Sequence, residues 1–214
     1  MFKIVYVDES EADRYNFQDY VKYSVNSNDF KLEVIEPKAD IIEFAQSIVL
    51  AHYKAVIIDF HLSEKNRFIH YDGADLAEEI CKIRNNIPIF ILTAYENDAV
   101  MRSDDVNWVY DKKSIVHKED PLFLERIKQQ IIKSEKRIEK AEIRLKELIE
   151  IRKDRTLDAI EEDEFIELDT LIEKSLSKVN QLPVQLKKQT NDIKLDKIMD
   201  LLDKVDSAIQ KIKK

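Results

Sequence analysis

Apolar positions in the first half of the chain fall in short unbroken runs separated by helix-spaced stripes. Lys3-Ile4-Val5-Tyr6-Val7 and Ala55-Val56-Ile57-Ile58-Asp59-Phe60 are rich in β-branched residues. Such runs read as strands buried on both faces, as in a parallel sheet. Phe30-Lys31-Leu32-Glu33-Val34-Ile35 alternates only partly and stops before Pro37, which suits a sheet edge. Ile89-Phe90-Ile91-Leu92 follows Pro88 and ends on Thr93-Ala94, and Val106-Asn107-Trp108-Val109-Tyr110 runs into Asp111-Lys112-Lys113. Between the strands, stripes at three- and four-residue spacing predict helices. One runs from a Ser10 cap through Tyr15, Phe17, Tyr20 and Val21 to the Asn26–Asp29 break. One is opened by Asp40 and carries Ile41, Phe44, Ala45, Ile48 and Val49. One enters at Asp72-Gly73 and carries Leu76, Ile80 and Ile83. The pattern is β-α-β-α-β-α-β followed by a fifth strand. It predicts an α/β fold, a doubly wound five-stranded parallel sheet in the flavodoxin-like order 2-1-3-4-5.

From residue 121 onward the period changes. Pro121 stands at a helix start, and Leu124, Ile127, Ile131, Ser134, Ile138, Ala141, Leu145 and Leu148 alternate steps of three and four, the seam of a coiled coil. Glu142 and Lys146 add an outward i, i+4 pair. This predicts a rod continuous with the last helix of the first domain and ending near Asp154. After a turn at Arg155-Thr156-Leu157, Asp158 with Glu161 makes a capping-box-like start for a helix whose stripe is Phe165, Leu168, Ile172, Leu176 and Val179. Its acidic run Glu161–Glu164 suits a helix N-terminus. Pro183 ends or kinks that helix. Beyond Thr190-Asn191-Asp192 a further seam runs through Leu195, Ile198, Leu202, Val205, Ile209 and Ile212. The predicted division is therefore 1–120 for the α/β domain and 121–214 for an all-α coiled-coil hairpin or three-helix bundle.

Composition narrows the function classes. The single cysteine, Cys81, excludes a disulfide framework or a thiolate cluster and fits a reducing cytoplasm. No apolar run approaches a membrane span, and the N-terminus lacks a basic-then-apolar signal pattern. Residues 1–118 carry 14 Lys and Arg against 21 Asp and Glu, and residues 119–214 carry 21 against 22. Neither half has the basic excess that nucleic-acid binding needs, so no nucleic-acid partner is expected. Gly73 is the only glycine, and the Gly-free remainder rich in Lys, Glu, Ile and Leu reads as long helices.

The candidate chemistry gathers at the strands' carboxyl ends, where open α/β sheets bind ligands. In the predicted order the first and third strands are neighbours, which brings Asp8, Glu9 and Asp59 to one crevice. Clustered carboxylates raise one another's pKa unless a cation shares the site. Mg²⁺ suits such a site because it takes few carboxylates, keeps waters and accepts phosphate oxygens. Thr93 adds a hydroxyl and Lys112 or Lys113 an ammonium. Such a set lets an Asp carboxylate act as nucleophile toward phosphorus while the other groups neutralise charge. The loop from His61 to Tyr71 lies over the crevice as a lid or partner contact. His61 and His70, without thiolates or tight spacing, do not make a transition-metal site.

The stretches Val7-Asp8-Glu9, Ile57-Ile58-Asp59, Asp72-Gly73, Ile91-Leu92-Thr93-Ala94 and Asp111-Lys112 together resemble the receiver domain of two-component response regulators over residues 1 to about 120. The resemblance implies that Asp59 is phosphorylated from a sensor histidine kinase or a histidine phosphotransfer protein. It also implies Mg²⁺ on Asp8, Glu9 and Asp59 with the backbone carbonyl of His61, and Thr93, Ala94 and Lys112 (or Lys113) around the phosphoryl group. The switch-aromatic position falls on Val109, with Trp108 and Tyr110 beside it as candidates. Two departures are visible: a longer loop between Asp59 and Gly73, and a short polar stretch, Tyr95–Asp105, for the fourth helix. The receiver itself catalyses only its own phosphorylation and dephosphorylation. The helical tail is expected to bind a protein partner or a second copy. A phosphate carrier or sink in a phosphorelay and a phosphorylation-independent coiled-coil adaptor are the alternatives. A haloacid-dehalogenase-type phosphatase would require an Asp two residues after Asp59, where His61 stands.

Overall fold

The computed structural model describes residues 1–64, 66–94, 108–116 and 122–176. Five parallel strands, β1 (Phe2–Val7), β2 (Phe30–Ile35), β3 (Ala55–Asp59), β4 (Ile89–Thr93) and β5 (Val109–Asp111), form one sheet in the order β2-β1-β3-β4-β5. The fold is flavodoxin-like, followed by a helical region. In the central strands side chains alternate between two separate cores. Ile4, Tyr6, Ala55, Ile57, Phe90 and Leu92 face one side; Val5, Val7, Val56, Ile58, Ile89 and Ile91 face the other. Helices must cover both, which is why β1 and β3 are apolar at nearly every position rather than at every second one.

Helix α1 (Glu11–Tyr23) covers the first face with Phe17, Tyr20 and Val21. Helices α2 (Ile41–Leu50) and α3 (Gly73–Ile83) cover the second with Phe44, Ala45, Ile48, Val49, Leu76, Ala77 and Ile80. Asp40 caps α2 by accepting from the amides of Ile42 and Glu43 at 2.9 and 3.0 Å. Ser10 stands at the N-cap position of α1 without a side-chain capping bond, and its amide is engaged by Asp8 Oδ1 at 2.7 Å. Asp72 and Asp75 form a full capping box at α3.

Among the described residues His52, just past the end of α2, is the only non-glycine with positive φ, at 57°. A left-handed residue after a helix is usually Gly, since a Cβ there costs about 1–2 kcal/mol, partly offset by the roughly 0.5–1 kcal/mol of extra chain entropy that Gly loses on folding. His52→Gly is therefore expected to raise stability by about 0.5 kcal/mol, seen as a higher denaturation midpoint at an unchanged slope. A lower midpoint would contradict this account of the position.

Among the described residues strand β5 begins at Val109, with Trp108 just before it, and Lys112 opens a short helix, α4 (Lys112–Val116). Val106, Asn107, the stretch Tyr95–Asp105, Pro121, Val179, Pro183, the Thr190–Asp192 break and the seam from Leu195 to Ile212 lie outside the described residues.

Helix α5 (Phe123–Asp154) is 32 residues long. Its seam serves two different neighbours. Phe123, Leu124, Ile127 and Ile131 are buried in the sheet's first core, whereas Ala141 and Leu148 are buried farther along the rod. Three- and four-residue spacing fits a helix to a sheet as well as to another helix, so the pattern alone could not separate the two uses. Surface bonds pin the first turns: Lys128 to Asp29 at 2.8 Å, Lys54 to Glu135 at 2.7 Å, and Ser134 Oγ donating to the Asn86 carbonyl at 2.6 Å. Helix α6 (Ala159–Leu176) returns against α5. Asp158 and Glu161 make the expected box, with Asp158 Oδ1 accepting from the amides of Ile160 and Glu161 and Glu161 Oε2 accepting from the Asp158 amide. Arg144 holds Glu164 through two bonds of 2.8 Å. Among the described side chains of α6 the most buried apolar residue is Ile166 rather than Phe165, which is half-buried beneath the Arg152 guanidinium, 5.4 Å from its ring centre. No helix among the described residues is long and apolar enough to cross a membrane.

Candidate functional site: an acidic sheet edge closed on a lysine

The register of the sheet delivers the site. Asp59 is the last residue of β3 and pairs with Leu92, Thr93 pairs with Asp111, and Val7 pairs with Ile58, so Asp8, Asp59, Thr93 and Lys112 all emerge at one carboxyl edge. Asp8 is fully buried, Asp59 is 5% exposed and Thr93 is 1% exposed. Two carboxylates this deep require a counter-charge.

Lys112 supplies it. Its Nζ lies 2.6 Å from Asp59 Oδ1, 2.8 Å from Asp8 Oδ2 and 2.9 Å from Asp13 Oδ2. The three ammonium donors thus have three carboxylate acceptors. Other bonds fix the two buried acids. Asp8 Oδ2 also accepts from the Tyr6 hydroxyl, and Arg14 Nη1 donates to the Asp8 carbonyl at 2.6 Å. Asp59 Oδ2 accepts from the His61 amide at 2.9 Å.

Burial pushes the Asp59 carboxyl up to about 7, with the Asp8 charge adding to the rise and Lys112 opposing it. Burial works against the Lys112 ammonium too, but Asp59 and Asp8 outweigh it and hold Lys112 above the usual lysine range. The buried Tyr6 hydroxyl is held well above its ordinary value by desolvation and then by Asp8.

Gly73 is the other structural requirement of the edge. Its amide donates to the Phe60 carbonyl at 2.8 Å, and a Cβ there would sit 2.3 Å from the Asp59 carbonyl oxygen. Helix α3 can begin this close to the end of β3 only because the residue has no side chain.

Of the sequence-predicted residues, Asp8, Asp59 and Lys112 meet directly. Thr93 and half-buried Ala94 lie on the same edge. Lys113 is exposed, and its amide bonds Asp111 Oδ1 at 3.1 Å, so Lys112 is the lysine inside the site. Half-buried Glu9 follows Asp8 in the chain, and the third carboxylate on the Lys112 ammonium is Asp13. Sequence reading passed over Asp13, although its place in the first turn of α1, five residues after Asp8, was the available signal. Among the described residues no group of three or more His, Cys, Asp or Glu side chains is arranged to hold a metal. Two buried carboxylates do share one positive group, the Lys112 ammonium. Oxygen-only donors converging on a single positive centre fit an ion of the magnesium kind, which needs few protein ligands.

The aromatic candidates divide between faces. Trp108 and Val109 pack on the α2–α3 core. Tyr110 packs on the opposite one, with its ring centre 5.5 Å from Phe90 and 5.3 Å from Phe123.

The edge resembles that of a receiver domain. No protein-family profile matches the chain, and no curated protein matches it. Solved structures that are similar include the Mn²⁺-bound form of response regulator Rcp1, at 21% identity and a TM-score of 0.40, covering 58% of this chain and 94% of that one. They also include the Salmonella typhimurium response regulator RcsB, from a study of conformational dynamism for DNA interaction. That likeness has 14% identity and a TM-score of 0.44, and covers 94% of this chain and 98% of that one.

Proposed function

We propose that the protein is a cytoplasmic response regulator whose receiver domain accepts a phosphoryl group on Asp59 and passes the change of state to its helical region. The observation that carries this reading is the buried Asp59 carboxylate at the tip of β3, joined to Asp8 through Lys112. In the proposed step an Asp59 oxygen attacks phosphorus, the bond from phosphorus to the donor breaks, and the donor departs with that bond's electrons. The donor is the phosphohistidine of a sensor kinase or of a histidine phosphotransfer protein. Mg²⁺ held by Asp8, Glu9, Asp59 and the His61 carbonyl would neutralise charge on the phosphoryl oxygens. Lys112 pairs with a phosphoryl oxygen and Thr93 donates its hydroxyl to another.

A route outward starts two residues before Lys112. Tyr110 abuts Phe123, the first residue of α5, so a shift at the β5 tip bears on the root of the rod. The far part of α5 with α6 is then the surface offered to a protein partner or a second copy.

The test is mass spectrometry after incubation with Mg²⁺ and acetyl phosphate, with beryllofluoride as a non-transferring mimic and size-exclusion chromatography alongside. The expected result is one phosphoryl adduct on the native chain and none on Asp59→Asn. No adduct on the native chain overturns the reading. An adduct without a change in size assigns the tail to a different partner rather than to self-association.

A further inference from the structure

Lys112 presents a difficulty for any divalent ion at this edge. It already neutralises Asp8 and Asp59, so an incoming cation must take those oxygens from it, and two positive centres cannot share them at close range. The ammonium cannot simply swing into water, since the side chain is only 13% exposed. The third carboxylate offers a way out. Asp13 lies in the first turn of α1 with its side chain 33% exposed, and it already contacts Lys112 Nζ at 2.9 Å.

We propose that Asp13 is a parking site for Lys112, a positioning residue that keeps the ammonium paired when a divalent cation takes Asp8 and Asp59, and so sets the affinity of the site for metal. This inference rests on the receiver reading above. With Asp13 present, Lys112 gives up two partners and keeps one without backbone movement. With Asn at position 13 the acceptor loses its charge, Lys112 holds more tightly to Asp8 and Asp59, and metal entry is disfavoured.

Glu11 supplies the control. It occupies the same first turn, carries the same charge and is exposed, and the three ion pairs of Lys112 do not involve it. Glu11→Gln thus removes the same long-range attraction for a cation without touching Lys112.

The experiment titrates the full chain with Mn²⁺ alone, following free Mn²⁺ by electron paramagnetic resonance, with Mg²⁺ as competitor. Asp13→Asn is expected to weaken binding about tenfold, the scale of one charge-assisted pair. Glu11→Gln should change it by less than about twofold, the scale of screened surface charge. Asp13→Glu, which restores a carboxylate, should recover most of the loss. Native-like Mn²⁺ affinity in Asp13→Asn overturns the parking role and leaves the phosphoacceptor reading standing. Equal losses in Asp13→Asn and Glu11→Gln also overturn it, because field strength would then explain both. Absence of Mn²⁺ binding by the native chain overturns this proposal together with the metal site. The mass-spectrometric adduct then decides separately whether Asp59 still accepts phosphorus.

Discussion

Lys112→Met is expected to cost the metal-free protein about 3–5 kcal/mol, the usual penalty for removing one partner of a buried ionic cluster. Methionine nearly matches the volume of the lysine stem, so packing is largely kept and the lost charge dominates. Asp8 and Asp59 would then face one another at the edge, and their remaining side-chain donors among the described residues are neutral: the Tyr6 hydroxyl and the Ser10 amide on Asp8, and the His61 amide on Asp59. The sign of the pH dependence follows from Asp59. Its folded pKa is raised to about 7, above the ordinary carboxylate value, so the folded state binds the proton more tightly than the unfolded chain. The corresponding stability is fully present below about pH 4 and is lost as pH rises toward 7. Without Lys112 the Asp59 carboxyl rises further and the window extends upward. The Met variant should therefore lose more stability at about pH 8 than at about pH 5, and divalent cation should restore part of the loss. Urea midpoints at the two pH values, with and without Mg²⁺, measure this. A Met variant as stable as the native protein, or a loss of the same size at both pH values, would show that Lys112 is not the charge on which the buried acids depend.

The same cluster shows how far residues alone reveal such a site. Strand positions were legible because apolar runs at Lys3–Val7, Ala55–Phe60 and Ile89–Leu92 leave few alternatives to a buried parallel sheet, and strand order then places Asp8 and Asp59 at one edge. Asp13 was not legible. It lies on a helix whose entry angle depends on the turn made by Asp8 and Ser10, and its contact with Lys112 spans 99 positions. The sequence places the start of β5 at Val106 because Val106, Trp108 and Tyr110 alternate acceptably; among the described residues the sheet pairs Val109–Asp111 with β4. In the rod, the seam correctly marks which side of α5 is buried but not against what. Phe123 and Ile131 belong to the sheet's core, whereas Leu148 is buried beyond it. The weak stripe of α6 explains the exchange of Phe165 for Ile166: with most positions only half-buried, neighbouring apolar residues compete on nearly equal terms.

The one glycine in 214 residues supports a second large effect. Gly73→Ala is expected to destabilise the protein by about 3 kcal/mol or more, at the upper end of overpacking penalties. On helix propensity alone the change would help, by up to roughly 1 kcal/mol. The surroundings reverse the sign. A Cβ at position 73 would stand 2.3 Å from the Asp59 carbonyl oxygen, 3.0 Å from Phe60 Cα and 3.1 Å from the Asp59 carbonyl carbon. All three are backbone atoms, so no side-chain end can rotate away, and either α3 must retreat or the tip of β3 must move. Retreat would break the Gly73 amide bond to the Phe60 carbonyl at 2.8 Å and draw Leu76, Ala77 and Ile80 from the core. Movement of β3 would displace Asp59 relative to Lys112. Stability and chemistry should therefore fail together: a markedly lower melting temperature, and a weaker phosphoryl adduct at temperatures where the variant is still folded. A Gly73→Ala protein that melts at or above the native temperature would mean that α3 and β3 do not approach this closely. The requirement for glycine would then have to lie elsewhere than in the space behind Asp59.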